Sequence, residues 1–210
     1  PMRANLAQNE PSILEFWKQK NIYHSIKDKS RESFVLHDGP PFANGKIHIG
    51  HWLNKILKDI IIKYNSIIGK GIDYIPGWDC HGLPIEHQVS KKIKDKNISK
   101  SKIRDLCEEF ALSFVSIQKE EFKRLGIFAD WDKPYLTINP EFETNQIDVF
   151  WNMYSKGYIY RGLKPVNWSP SSRTALAEAE LEYPDNHISK SVYVKFKIEN
   201  SIDFLGDFQE

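Results

Sequence analysis

The sequence predicts an α/β fold, and three observations carry that prediction. Ser33-Phe34-Val35-Leu36 reads as a short buried strand, followed at residues 37–45 by a stretch that two prolines and two glycines keep out of helix and central strand. Next, Leu53, Ile56, Leu57, Ile60, Tyr64, Ile67 and Ile68 recur on one helical stripe that Gly69 ends. Ile72-Asp73-Tyr74-Ile75 then reads as a second strand, closed by Pro76-Gly77. Strand, loop, helix and strand in that order make a βαβ unit, which implies a parallel sheet and a right-handed crossover.

The other elements follow along the chain. Residues 10–20 suit a helix with Pro11 in its first turn and Ile13, Leu14 and Trp17 on one face. In the long helix of the βαβ unit, Lys55, Lys58, Asp59 and Lys63 are expected to face largely away from the apolar stripe. Residues 91–96 are rich in charge and poor in core material. Ser101 can cap a helix running to about Leu125, stopped by Gly126, and a further helix after Pro140 ends at Gly157. From Val192 the pattern alternates: Val192, Val194, Phe196 and Ile198 point one way, and Tyr193, Lys195 and Lys197 the other. That is the pattern of a half-buried strand opening a different domain.

Composition narrows the class. The 210 residues are 40% hydrophobic, with 12 Phe, 9 Tyr and 6 Trp, enough for a packed core and unlike a disordered or fibrous chain. No apolar run approaches the roughly 20 residues that span a bilayer, so no membrane partner is expected. With 29 basic and 28 acidic residues the formal charge is +1, which gives no global basic field. Cys80 and Cys107 stand at no metal or redox spacing, in keeping with a reducing, cytoplasmic or organellar compartment. Neither Pro1-Met2-Arg3 nor the last residues, 206–210, form an opening or closing element, so the chain is expected to be part of a longer protein.

The chemistry concentrates where loop becomes helix, at His48-Ile49-Gly50-His51. Two histidines three apart lie on one face of a helix start, whose unsatisfied N–H groups and partial positive charge attract anions. Gly50 removes a side chain where a phosphate or ribose would approach the backbone. By itself His-x-x-His also fits metal binding or packing; the strand, Pro/Gly loop and amphipathic helix around it favour a nucleotide's phosphates.

Pro40-Pro41-Phe42-Ala43-Asn44-Gly45-Lys46-Ile47-His48-Ile49-Gly50-His51 resembles the HIGH signature of the class I aminoacyl-tRNA synthetases. Leu53-Asn54-Lys55-Ile56-Leu57-Lys58-Asp59 and Pro76-Gly77-Trp78-Asp79-Cys80-His81-Gly82-Leu83-Pro84-Ile85-Glu86 are similar to the members that activate isoleucine. Ala175-Leu176-Ala177-Glu178-Ala179-Glu180-Leu181-Glu182-Tyr183 resembles the lead into that family's inserted editing domain. The leucine members usually continue the tryptophan loop with Ala-Phe-Gly where Cys80-His81-Gly82 stands. The valine members carry Asp-His-Ala-Gly there and an Asn-Val-Thr-Gly type loop in place of Phe42-Ala43-Asn44-Gly45.

The resemblance implies a Rossmann-like parallel sheet with helices on both faces, continuing into a β-rich editing insertion. Residues 1–183 would be the amino-terminal part of the catalytic domain and 184–210 the start of the insertion. The implied activity is ATP-dependent activation of isoleucine and transfer to its tRNA, with ATP and Mg2+ as substrate. His48 and His51 would stabilise the α-phosphoryl transition state, and His48, Ile49, Gly50, His51, Asn44 and Gly45 would meet ATP. Pro40, Pro41 and Phe42 would line the side-chain pocket, and Asp79 would hold the α-ammonium group. Valine is one methylene smaller than isoleucine, a difference a pocket resolves by only about 1–3 kcal/mol, for which isoleucine-activating enzymes are the standard example. Editing by the full-length enzyme would supply the remainder.

Some features depart from the family pattern. No KMSKS-type lysine loop occurs, so half the ATP site is expected outside this chain, and residues 1–210 alone are expected to be inactive. Many relatives have Tyr where Phe42 stands. Ser169-Pro170-Ser171-Ser172 replaces the Cys-x-x-Cys that some relatives carry, so no metal is expected there. The lysines between Lys91 and Lys102 could touch tRNA, although such runs are usually solvated faces. A synthetase-like binding module without activation, or a nucleotidyltransferase for another substrate, are the alternatives. The abrupt ends argue against the first, which a lysine loop encoded downstream would exclude, and the Asp79 loop argues against the second.

Overall fold

The computed structural model describes residues 4–28, 30–93 and 97–196. It separates into two compact units, Pro1–Ile159 and Tyr160–Glu210. The expected boundary near Tyr183 falls inside the second. The termini, residues 94–96 of the charge-rich stretch, and Lys197 and Ile198 of the expected strand lie outside the described residues.

In the first unit the βαβ order is present. Strand β1 (Ser33–Leu36) pairs in parallel with β2 (Gly71–Tyr74), Ser33 opposite Gly71 and Leu36 opposite Tyr74. Strand β1 is less buried than expected, with Val35 largely exposed. A second parallel pair joins β3 (Gly77–Trp78) to β4 (Tyr135–Leu136). Gly77 has no alternative to glycine, because a Cβ there would fall 2.0 Å from the Tyr135 ring. The described residues therefore form small two-stranded pieces where a continuous parallel sheet was expected.

Five helices complete the part of the unit that bears on the site. Helix α1 (Leu6–Gln19) starts earlier than expected, so Pro11 lies inside it. Between β1 and β2 runs α2 (Ile49–Ile67). Helix α3 (Leu83–Ser90) follows β3, and α4 (Lys100–Arg124) is capped by Ser99, whose hydroxyl accepts the Lys102 N–H at 3.2 Å. The cap is thus two residues before the expected Ser101. Gly126 stops α4 at φ +74°, and Gly157 at φ +77° follows α5 (Pro140–Ser155). No described helix is long and apolar enough to cross a membrane.

Helix α2 reverses the expected polarity. Lys55 and Asp59 are buried, whereas Leu53, Leu57, Ile60, Tyr64, Ile67 and Ile68 are 52–83% exposed. Spacing shows which residues share a face but not which face is covered, and here the charged face finds partners. Asp59 accepts the Phe128 N–H at 2.8 Å, and Lys63 spans Asp59 at 2.5 Å and the Gly126 carbonyl at 3.0 Å. Lys63 also lies over the Phe128 ring at 4.5 Å.

Asp38, one residue after the intervening His37, is fully buried and ties these pieces together. Its carboxylate pairs with Lys55 and, at 2.7 Å, with Lys58. It also accepts the Tyr74 hydroxyl at 2.9 Å and the Gly77 N–H at 3.0 Å. Burial pushes the Asp38 carboxyl up, yet the two lysines and the Gly77 N–H together hold it below the usual carboxylate range. Around it, Ile62, Ile72, Tyr74 and Ala129 form one core cluster. A larger cluster of Ala43, Trp78, Ile85, Val115 and Phe122 packs between β3, α3 and α4.

The second unit contains β6 (Thr174–Leu176) antiparallel to β5 (Asn167–Ser169), with Ser169 and Ser171 hydroxyls 3.1 Å apart in the turn. Residues 191–196 form no strand, against expectation, and Val192, Tyr193, Val194 and Phe196 are exposed. Alternation specifies a strand only where a neighbouring edge and a covered face receive it.

Asp38→Asn leaves Lys55 buried beside a neutral amide, so it is expected to cost about 3–5 kcal/mol in urea unfolding at pH 7. Because the folded carboxyl titrates below its unfolded value of about 3.9, its contribution is complete above that pH and disappears as pH falls through the folded value. A loss below about 1 kcal/mol would show that Lys55 does not depend on Asp38.

Candidate functional site

The start of α2 is built by its own histidines. His48 is the N-cap, in extended conformation, and its Nδ1 accepts the Gly50 N–H at 3.1 Å. The His48 N–H in turn donates to His51 Nδ1 at 3.3 Å, and the two rings stack at 3.9 Å. With both Nδ1 atoms accepting, the ring protons sit on Nε2, leaving two neutral Nε2–H donors. Burial, His48 and Lys55 hold His51 below the usual histidine range, which keeps that ring neutral. A Cβ at Gly50 would approach the His48 ring to 3.0 Å, so a larger residue there would crowd the cap as well as any ligand. Ile49 is largely exposed.

The second arm joins the Pro/Gly loop to the loop after β3. Phe42 and Asp79 form an isolated parallel bridge, in which the Ala43 N–H donates to the Asp79 carbonyl and the Asp79 N–H to the Pro41 carbonyl, both at 2.9 Å. This brings Pro41, Phe42 and Asp79 together. Pro40 and Pro41 are half-buried and Phe42 keeps an exposed ring. Asp79 is half-buried, its Oδ1 accepting the His81 N–H at 3.2 Å. Among the described residues, no ion pair engages Asp79. A half-buried carboxylate without a cation is suited to receive one from a ligand.

Cys80, beside it, is buried, and burial pushes its thiol up to about 11, so it remains a thiol at neutral pH. His81 reaches Glu143 at 3.1 Å and the Thr137 carbonyl at 3.2 Å. Asn44 and Gly45 are half-buried in the loop between the two arms, and the Gly45 carbonyl accepts from Gln118 at 2.7 Å.

Sequence reasoning missed Asp38, Lys55, Gln118, Glu121 and Tyr135. Each acts across the fold: Tyr135, for example, donates its hydroxyl to the Asp38 carbonyl at 2.6 Å. The short turn containing Asp38 offered a signal at one position, but no local pattern marks Gln118.

Comparisons with known proteins show the family. Residues 12–200 match the family described as tRNA synthetases class I (I, L, M and V). The isoleucine–tRNA ligase of Caldicellulosiruptor bescii is 55% identical over 99% of this chain and 23% of its own length. That of Nostoc punctiforme is 55% identical over 94% of this chain and 21% of its own. The chain thus spans less than a quarter of the length of these relatives. A crystal structure of an Agrobacterium radiobacter LeuRS, in a ternary complex with tRNA and LeuAMS, superposes with a TM-score of 0.67. It is 24% identical, and the match covers 84% of this chain and 21% of that one, a likeness of fold. The histidine-capped helix start, its parallel βαβ setting and the family match converge: the chain belongs to the class I tRNA synthetases.

Proposed function

We propose that this chain is the amino-terminal part of an enzyme that activates isoleucine with ATP and transfers it to the cognate tRNA. The observation that carries the proposal is the pairing of Phe42 with Asp79 in the same loop system that ends at the His48 cap. The names of relatives 55% identical to the chain support isoleucine as the substrate.

In this reading ATP enters as its Mg2+ complex. A carboxylate oxygen of isoleucine attacks the α-phosphorus, the bond from that phosphorus to the pyrophosphate oxygen breaks, and isoleucyl-adenylate and pyrophosphate form. The substrate supplies the nucleophile, so the protein's task is positioning and charge stabilisation. His48 and His51 donate Nε2–H groups to phosphoryl oxygens at the start of α2, where the helix N–H groups favour anions. Ile49, Gly50, Asn44 and Gly45 meet the nucleotide through the same loop and helix start. Asp79 holds the α-ammonium group, and Pro40, Pro41 and Phe42 bound the side-chain pocket.

Residues 1–183 then belong to the catalytic domain and 184–210 open a β-rich editing insertion that hydrolyses valine products in the full-length enzyme. The remaining ATP contacts, including a lysine loop, come from later segments, and the protein acts in the cytoplasm with translation.

The test is ATP–pyrophosphate exchange by the full-length enzyme with isoleucine, valine and leucine. Isoleucine is expected to give the highest kcat/KM; preference for valine or leucine overturns the substrate assignment. Residues 1–210 alone are expected to give no exchange.

His51→Ala in the full-length enzyme is expected to lower isoleucine activation by about 10²-fold or more with little change in stability, because the donor acts mainly in the transition state. Undiminished exchange in a folded variant would remove the helix start from the phosphate site.

Asp79→Asn is expected to weaken isoleucine binding while leaving ATP affinity nearly intact, since only the ammonium's counter-charge is lost. Calorimetric titration with each substrate separates the two. A loss falling mainly on ATP would put Asp79 in the wrong arm.

A further inference from the structure

We propose that Gln118 and Glu121, on adjoining turns of α4, are positioning residues that set the amino-acid pocket against the histidine-capped helix start. The inference rests on the function proposed above and adds residues to it.

Residues 43–48 lack helix or extended strand of their own, yet they connect the two arms of the site. On one side the loop is held by its backbone bridge to Asp79. On the other it is held by one face of α4. Gln118 is fully buried, and its Nε2 donates to the Phe42 carbonyl at 3.1 Å and the Gly45 carbonyl at 2.7 Å. Its Oε1 accepts the Trp78 indole N–H at 3.0 Å, from the residue preceding Asp79. One turn on, Glu121 Oε2 accepts the Ile47 N–H at 2.9 Å, immediately before the His48 cap. Phe122, beside it, lies edge-on to His51, with centroids 6.5 Å apart.

Residues three and four apart share a helix face, so one rigid surface touches Phe42, Gly45, Ile47, Trp78 and His51. The chemistry at position 118 is specific. Two carbonyls require two donors and an indole N–H requires an acceptor, and among uncharged side chains only a primary amide supplies two N–H donors and an acceptor in one plane. Both ends of the amide agree on its orientation. A carboxylate there would face two carbonyl oxygens, and an apolar chain would strand the buried Trp78 indole N–H and two partly buried carbonyls. Neither residue touches a reacting atom in this arrangement. Their effect passes through the loop they hold, and sub-ångström to ångström misplacement of substrate groups costs rate steeply.

The experiment uses the full-length enzyme and ATP–pyrophosphate exchange, with KM and kcat measured for isoleucine and ATP at a temperature well below unfolding. Gln118→Met, similar in length but unable to make the three bonds, is expected to raise KM for isoleucine and lower kcat, about tenfold or more combined. Glu121→Leu is expected to lower kcat about tenfold, and Glu121→Gln, which keeps an acceptor for the Ile47 N–H, to recover most of that loss. A folded Gln118→Met enzyme with parental constants and only a lower melting temperature overturns the proposal. So does a Glu121→Gln enzyme as impaired as Glu121→Leu, and this pair decides the matter if Gln118→Met does not fold. A parent enzyme that gives no isoleucine-dependent exchange overturns the functional reading itself, and the positioning roles with it.

Discussion

A single buried carboxylate, that of Asp38, is the constraint on which the rest of this unit depends. Removing a carboxylate from water is costly unless cations and N–H donors replace the lost hydration. Asp38 obtains these from four places at once: Lys55 and Lys58 on α2, Tyr74 on β2, and the backbone of Gly77 at the start of β3. Its own carbonyl receives the Tyr135 hydroxyl from β4. The first strand's exit, the long helix, the second strand and the next parallel pair are thereby fixed to a single point. Burial of Lys55 is possible only because of this arrangement, and Lys55 lies over Phe122 at 5.1 Å, the same ring that meets His51 edge-on. The interaction that closes the fold also supports the helix start.

The same point explains how the two loops are rooted side by side. One arm leaves β1 through the Pro/Gly loop to His48; the other leaves β3 as Trp78 and Asp79. Asp38 sits at the root of the first arm and holds Gly77 at the root of the second. Further out, the arms meet again through the Phe42–Asp79 bridge and through Gln118. In the proposed chemistry no protein nucleophile is needed, so accuracy of placement is what these contacts provide.

Local patterns made the βαβ unit legible in the sequence. Three apolar residues, a Pro/Gly loop, a helical stripe and a glycine stop lie in order within forty-odd positions, and each states its own geometry. The helix-start histidines were legible for the same reason, since cap chemistry is local. The orientation of α2 was not. Burial of Lys55 and Asp59 depends on Asp38 and on the Phe128 N–H, neither of which any periodicity indicates. Gln118 read as one more polar residue on a long helix, because its partners lie 40 to 76 positions away. At Val192 the error ran the other way: a clean alternation has no sheet to join among the described residues.

In the proposed mechanism the His48–His51 helix start and the Asp79 loop form two arms of one site for an aminoacyl-adenylate. The most direct test is a crystal structure of the full-length enzyme with a non-hydrolysable isoleucyl-adenylate analogue. The α-phosphoryl mimic is expected within hydrogen-bond reach of His48 and His51 Nε2, the ammonium group on the Asp79 carboxylate, and the side chain against Pro40, Pro41 and Phe42. An analogue bound with its ammonium group away from Asp79, or its phosphoryl mimic away from both imidazoles, would contradict it.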